Sequence, residues 1–510
     1  MTLARTALSS WDWIIVGLYA IGMLLVGFYY SRRTRCSDDY MLGGRQMKSW
    51  GVGLSLFATL FSAVSYLSMP GEMVKNGPMY WSMLVALPFV YLIVAGFFIP
   101  FIMKLKITSA YELLELRLGR KNRILASLYF LIMRLVWMAV IIYMCASKVI
   151  VPLMGWSEST ALYVSVVMGV ITIIYTSAGG LRGVVFTDVL QTLILFGGSI
   201  TAVVLIAGQL GGIRAIIPDQ WPAHWAGWVF FDTQARVSFL TAVIAVFGWH
   251  VCTAGSDQMA IQRYLATRDI RAARKMYLSS LVSNVAIFLL LALLGLAILA
   301  FYQKHPAWLP SEKTMLEDAD LLFPHFMVVG LPVGVSGLVL AGLLSAAMSS
   351  LSSGINSSCL VVVRDFIAPM QKTPGSDIQQ VKLARIISIA IGVLVVVISL
   401  VISKVKGNLL EVTHKTINLL VAPLFVPFFM AMFVRCARPT PVFLGTLFSG
   451  LIAFCISFSQ ELFSHNIPFL WIIPVSFIAG IAVSWLGSCF ARKGTLEQVS
   501  RETGQTEPLQ

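Results

Sequence analysis

Apolar stretches of 18 or more residues recur along this chain from one end to the other. A helix of that length crosses the roughly 30 Å hydrocarbon core of a bilayer, and lipid admits only structures that satisfy their own backbone polar groups. Thirteen spans are expected, numbered 0 to 12, at 13–31, 50–70, 78–103, 122–152, 161–177, 183–208, 237–254, 276–303, 330–363, 383–403, 411–434, 441–459 and 468–490. The expectation is therefore an all-α polytopic membrane protein of about 13 transmembrane helices. It has a single transmembrane domain over 1–490 and a cytoplasmic polar tail over 491–510. Only 12% of the residues are charged, about half the share usual in soluble chains. Span 0 has no clear small-residue cleavage site and reads as a retained helix.

The net charge of +14 raises the question of nucleic acid, and the placement of the charges answers it. With the N-terminus outside, 26 of the 37 Lys and Arg residues fall in inner segments and 9 in outer ones. Arg134 and Lys415 fall within spans, and Lys415 with His414 sits near the outer, solvated end of span 10. The positive-inside rule then puts the C-terminus in the cytoplasm of the plasma (inner) membrane. The basic excess faces anionic lipid, so the partner it implies is the bilayer. Neither nucleic acid nor an obligate protein partner is implied. None of the seven Cys falls in an expected outer loop, and no Cys/His spacing suggests zinc.

Span 8 holds seven serines in 14 residues, from Ser345 to Ser358. An unpartnered hydroxyl moved from water into an apolar phase costs roughly 2–7 kcal/mol, so this density has a cause. Ser349, Ser352 and Ser353 share one helical face, with Ser345 a turn earlier. A file of oxygens sheltered from lipid suits a small hard cation; the alternative is that small residues only let helices pack closely. Span 1 is too polar and glycine-rich over Gly51–Gly71 for a lipid-facing helix. It reads as a broken helix whose freed carbonyls bind cations. Span 6 carries polar groups at depth from Trp249 and His250 to Thr253, five spans later. Two weakened segments at matching positions point to a transporter of inverted repeats.

Several runs resemble the sodium:solute symporter family: Ser37–Gly44, Lys106–Glu112, Tyr175–Gln191, Ser256–Leu265 and the span 8 serines. The resemblance covers about residues 10–490. It implies the leucine-transporter fold, with two inverted five-helix repeats over spans 1–5 and 6–10, and the sodium-driven import of a small organic solute. By position, it implies a first Na+ site formed by Ala58 and Phe61 on span 1 with Ala346, Ser349 and Ser350 on span 8. Some members of the family hold a second ion. Here Asp188, Ser349, Ser352 and Ser353 occupy those positions, which implies two Na+ per solute. Asp188 has a second reading, as a partner of Arg182 near the inner face.

The same resemblance places substrate contacts at Ser62 and Ser65 and an outer-gate aromatic at Tyr80. Trp137 stands where the sialic-acid branch has Arg, and Leu84 replaces a polar residue there. His250 stands where sugar and sialic-acid members have Asn. Phe61–Tyr66 and Thr108–Leu116 resemble the branch that carries monocarboxylates, vitamins and iodide. Arg134, at membrane depth, either clamps a substrate carboxylate in two-pronged fashion or makes a structural contact. His250 is either a pocket residue or a packing residue. An organic anion is thus expected over a neutral sugar. The competing functions are a sodium-permeable channel or a transporter-like sensor on the same scaffold. No nucleophile-elbow pattern accompanies His250, which weighs against a hydrolase.

Overall fold

The computed structural model describes residues 7–34, 36–105, 107–225, 227–309, 315–317, 319–371, 376–401, 409–465 and 467–503. Lys106 and the side chains of His414 and Lys415 lie outside the described residues. Among the described residues, 84% are helical and no strand occurs. Ten helices are long and apolar enough to cross a membrane, or eleven when the bent pair Ser49–Leu60 and Ala63–Asn76 counts as one span. The last helix, Ile472–Thr503, continues past the expected end of the membrane domain at 490.

Ten or eleven is fewer than the thirteen spans expected, for two reasons. The expected spans 161–177 and 183–208 lie on one helical run, Ala161–Leu210, interrupted at Gly180. Its 50 residues would be about 75 Å long if straight, far more than a bilayer core. Gly180 adopts φ 58 and ψ −163, a conformation essentially restricted to glycine. A Cβ there would also meet the Tyr40 carbonyl oxygen at 2.9 Å. Span 10 is the other case: within the helix Leu409–Phe433, the apolar part Asn418–Phe433 is too short to stand among the ten.

The serine helix, Val335–Val361, is the axis of the molecule. Its most apolar window is 94% buried inside the protein, against 17% for the outermost helix, Ser10–Ser31. It packs on the kinked helix Ala161–Leu210, on Ser10–Ser31, and on Glu112–Cys145. Its start is tied to the first helix by Asp12, whose carboxylate accepts the amides of Gly334 at 2.8 Å and Gly337 at 2.9 Å.

The broken helix bends by 68° at Phe61–Ser62. Phe61 is extended there (φ −95, ψ 115), and the Ser62 hydroxyl caps the second half by accepting the Ser65 amide at 3.3 Å. The weakness expected in span 6 lies elsewhere than in the Trp249–Thr253 stretch. Phe239–Ser256 is one continuous helix, and the chain breaks at Asp257 (ψ 124) before the short helix Gln258–Leu265. Asp257 can end one helix and start the next because its carboxylate accepts the Met259 amide at 2.8 Å.

The segments that carry the family resemblance interlock at one end of the bundle. Gln262 donates to the Met41 carbonyl at 2.5 Å and to Asn356 of the serine helix at 2.8 Å. Gln258 accepts the Ala110 amide at 2.7 Å. Arg182 bonds the Gly43 carbonyl at 2.9 Å and pairs with Asp39 at 2.8 Å. Tyr40 donates to the Ser177 carbonyl at 3.0 Å.

Candidate functional site

Two kinds of serine occupy the serine helix. Ser345 and Ser357 return their hydroxyls to the carbonyls of Ala341 and Ser353, four residues back, at 2.7 Å. That satisfies their hydroxyl protons within the helix. Ser349 and Ser350 instead reach the break in the neighbouring helix. Ser349 donates to the Ala58 carbonyl at 2.9 Å and to the Ala346 carbonyl at 3.2 Å. Ser350 approaches the carbonyls of Thr59 and Phe61, each at 3.4 Å. The structure thereby gathers the expected first set, Ala58, Phe61, Ala346, Ser349 and Ser350, into one buried cluster of neutral oxygens. Three carbonyls and two hydroxyls form a donor set suited to a monovalent hard cation. Phe61 and Ala58 expose their carbonyls because the helix stops at Leu60, leaving its last acceptors without intrahelical partners.

The second set is gathered in part. Asp188 is fully buried on the kinked helix. One of its oxygens accepts Ser55 at 2.6 Å and Ser353 at 3.3 Å. Its other oxygen, Oδ1, has no hydrogen-bond partner. Ser352 turns away and donates to the Ser349 carbonyl at 3.0 Å, so Ser349 and Ser352 connect to each other and not to the carboxylate. The alternative partner considered for Asp188 is engaged elsewhere, since Arg182 pairs with Asp39. The cation facing Asp188 is Arg263, 3.7 Å away and also fully buried. Arg263 belongs to the Ser256–Leu265 run and, from the sequence, reads only as one of many inner basic residues.

A cavity of about 100 Å³ opens beside the break. Ser62, Ser65, Tyr80, Trp137 and His250 all line it, together with Leu84. Trp249 stands edge-on to His250, with ring centres 4.8 Å apart. Arg134 does not line it. Its guanidinium forms a buried ion pair with Asp257, a structural contact of the kind given as the other reading of Arg134. The physical reason is proximity: Asp257 at the break in span 6 supplies the carboxylate that a buried guanidinium requires. Asn284 and Asn418, which sequence reasoning passed over, also line the cavity. Isolated amides inside apolar spans were the signal available for them. None of the cavity's lining residues is charged.

A cluster of buried neutral oxygens at a helix break, next to a cavity in a multi-span bundle, is the arrangement of a cation-coupled membrane transporter. The chain belongs to the sodium:solute symporter family, whose sequence profile matches residues 40–448. It is 30% identical over 465 residues to a sodium/sialic acid symporter of Proteus mirabilis, covering 87% of this chain and 89% of that protein. It is 29% identical to the sodium-dependent multivitamin transporter of Oryctolagus cuniculus, covering 87% of this chain and 70% of that one. The fold matches the substrate-bound outward-open structure of a Na+-coupled sialic acid symporter with a TM-score of 0.81 at 26% identity, over 94% of this chain and 98% of that one. It also matches Mhp1, a nucleobase-cation-symport-1 family transporter, with a TM-score of 0.58 at 13% identity, over 90% and 95% of the two chains. Sodium is the coupling ion.

Proposed function

We propose that this chain imports a small organic anion across the plasma (inner) membrane together with two sodium ions. The observation that carries the sodium part is the convergence of Ser349 and Ser350 on the carbonyls of Ala58 and Phe61. Asp188 with its unpartnered oxygen supports a second ion, bound with Ser353 and the Ser349–Ser352 pair.

The solute sits in the cavity lined by Ser62, Ser65, Tyr80, Trp137 and His250. An anion is favoured because the second half of the broken helix begins there. Its first amides and its dipole present positive charge to the cavity, and no side-chain charge is needed. The chain's relatives point the same way, since their names include sialic acid, monocarboxylate and iodide carriers. A neutral sugar has no such support. The volume is below the roughly 300–1,000 Å³ typical of drug-sized ligands, so a large solute requires the lining to open.

The architecture we propose is thirteen crossings, counting two in Ala161–Leu210 and one in Leu409–Phe433. Spans 1–5 and 6–10 then form two inverted repeats, each opening on a broken helix, at Phe61 and at Asp257. The N-terminus faces outward, and the polar tail 491–510 lies in the cytoplasm. The test is uptake into liposomes across monocarboxylates, vitamins, sialic acid and hexoses under an imposed sodium gradient. Concentrative uptake of an acid that stops when choline replaces sodium supports the reading; uptake of hexoses alone overturns the anion assignment. A reversal potential corresponding to one sodium per solute overturns the stoichiometry.

A further inference from the structure

Arg263 is among the largest fully buried side chains of the described residues, and its placement against Asp188 is unusual. Arginine–carboxylate pairs ordinarily close to about 2.7–2.9 Å, often through two parallel bonds. Here the nearest N–O separation is 3.7 Å, because the hydroxyls of Ser55 and Ser353 occupy the shared carboxylate oxygen. The guanidinium spends its donors on Ser353 at 2.5 Å, Thr59 at 3.0 Å and the Met259 carbonyl at 3.2 Å. Its Nε has no partner, and neither does Asp188 Oδ1. The two charges neutralise each other while each keeps unused bonding capacity.

Ser353 is where the conflict lies. A hydroxyl has one donor and two lone pairs. The Ser353 oxygen accepts from Arg263 and from Thr59, and its proton points to Asp188. All three capacities are committed, so no cation can use this oxygen until Arg263 or Thr59 lets go. Arg263 is the one that like-charge repulsion would drive out.

We propose that Arg263 is a tethered cation that competes with the second sodium ion for Asp188 and Ser353, and so sets that ion's affinity. The proposal rests on the reading of Asp188 as a sodium ligand. Without the ion, Arg263 keeps the buried carboxylate compensated; when the ion arrives, Arg263 withdraws. Because Arg263 shares a short helix with Gln262, its withdrawal is transmitted to the hydrogen bonds that hold Met41 and Asn356.

The test is sodium-dependent thermal stabilisation of the purified full-length protein at constant ionic strength, with choline as the replacement cation. Arg263→Gln is expected to lower the sodium concentration for half-maximal stabilisation by roughly tenfold, within the range common for coupled sites. Asp188→Asn is expected to weaken sodium dependence, and Asp188→Asn/Arg263→Gln to behave like Asp188→Asn alone. If Asp188→Asn shifts the curve while Arg263→Gln leaves the wild-type midpoint unchanged, the competition is overturned and the second site stands. If Asp188→Asn superimposes on wild type, the second-ion reading itself is what fails. Should Arg263→Gln not fold, Arg263→Lys carries the test. Its single nitrogen cannot hold the Met259 carbonyl as well as Ser353 and Thr59, which Arg263 reaches through two different nitrogens, so its midpoint is expected to fall as well, and an unchanged midpoint overturns the proposal.

Discussion

Ser349 on the serine helix donates to the carbonyl of Ala58, 2.9 Å away and 291 residues earlier in the chain. This bond closes the gap between the first half of the broken helix and the helix that runs through the centre of the protein. Its oxygen also belongs to the proposed first sodium site, so ion and helix contact are linked. Ser349→Ala and Ser350→Ala are expected to raise the sodium concentration for half-maximal uptake, Ser349→Ala more strongly. Ser349 sits closer to its carbonyl partners than Ser350, at 2.9 and 3.2 Å against 3.4 Å. Uptake measured against sodium concentration checks this, and an unshifted curve for both variants contradicts it.

Arg134 and Asp257 are expected to act on stability. Their side chains are 6% and 3% exposed, and removing one partner of such a pair costs about 3–5 kcal/mol. Arg134→Gln should lower the melting temperature, and Arg134→Gln/Asp257→Asn should recover part of the loss because neither charge is then left alone. Where Arg134→Gln can be purified, its solute affinity should stay close to wild type. A large loss of affinity with an unchanged melting temperature would return Arg134 to the binding site.

Ser62 has two jobs that substitution can separate. It caps the second half of the broken helix, and it lines the cavity. Ser62→Ala should cost about 0.5–2 kcal/mol of stability through the lost cap. Ser62→Asp keeps a capping oxygen but adds a negative charge, so it should retain stability and lose affinity for an anionic solute. Ser62→Asp binding as well as wild type would count against an anion.

Gly180 is expected to tolerate no side chain. Gly180→Ala combines a glycine-only backbone with a Cβ 2.8 Å from the Tyr40 ring. Folded yield in the membrane fraction should drop sharply, whereas Gly197→Ala on the same helix, where a Cβ meets nothing within 4 Å, should express normally.

The features visible in the sequence were those with a local signature. Long apolar runs mark helices, and the polarity of Gly51–Gly71 announces the broken one because lipid admits no such segment. The crowding of serines on span 8 marks the ion site, although it does not separate Ser349, which reaches another helix, from Ser345, which bonds its own. Long-range pairing was not visible. Arg134 and Asp257 are 123 residues apart, and nothing near either one announces the other. Arg263 looks like an ordinary basic residue following a span, and only the packed structure reveals its burial. The break at Gly180 falls in the expected gap between two spans, but its form, a single glycine within one helical run, has no signature in the sequence.

The interlocked segments at one end of the bundle bear on speed as well as on shape. Gln262 holds Met41 and Asn356, Gln258 holds Ala110, and Arg182 holds Gly43. A passage opening through this end must part several of these bonds together, since each joins a different pair of elements. Such a gate passes through few half-open states. Turnover limited by such an opening is expected to show a steep temperature dependence, which uptake measured across a range of temperatures checks.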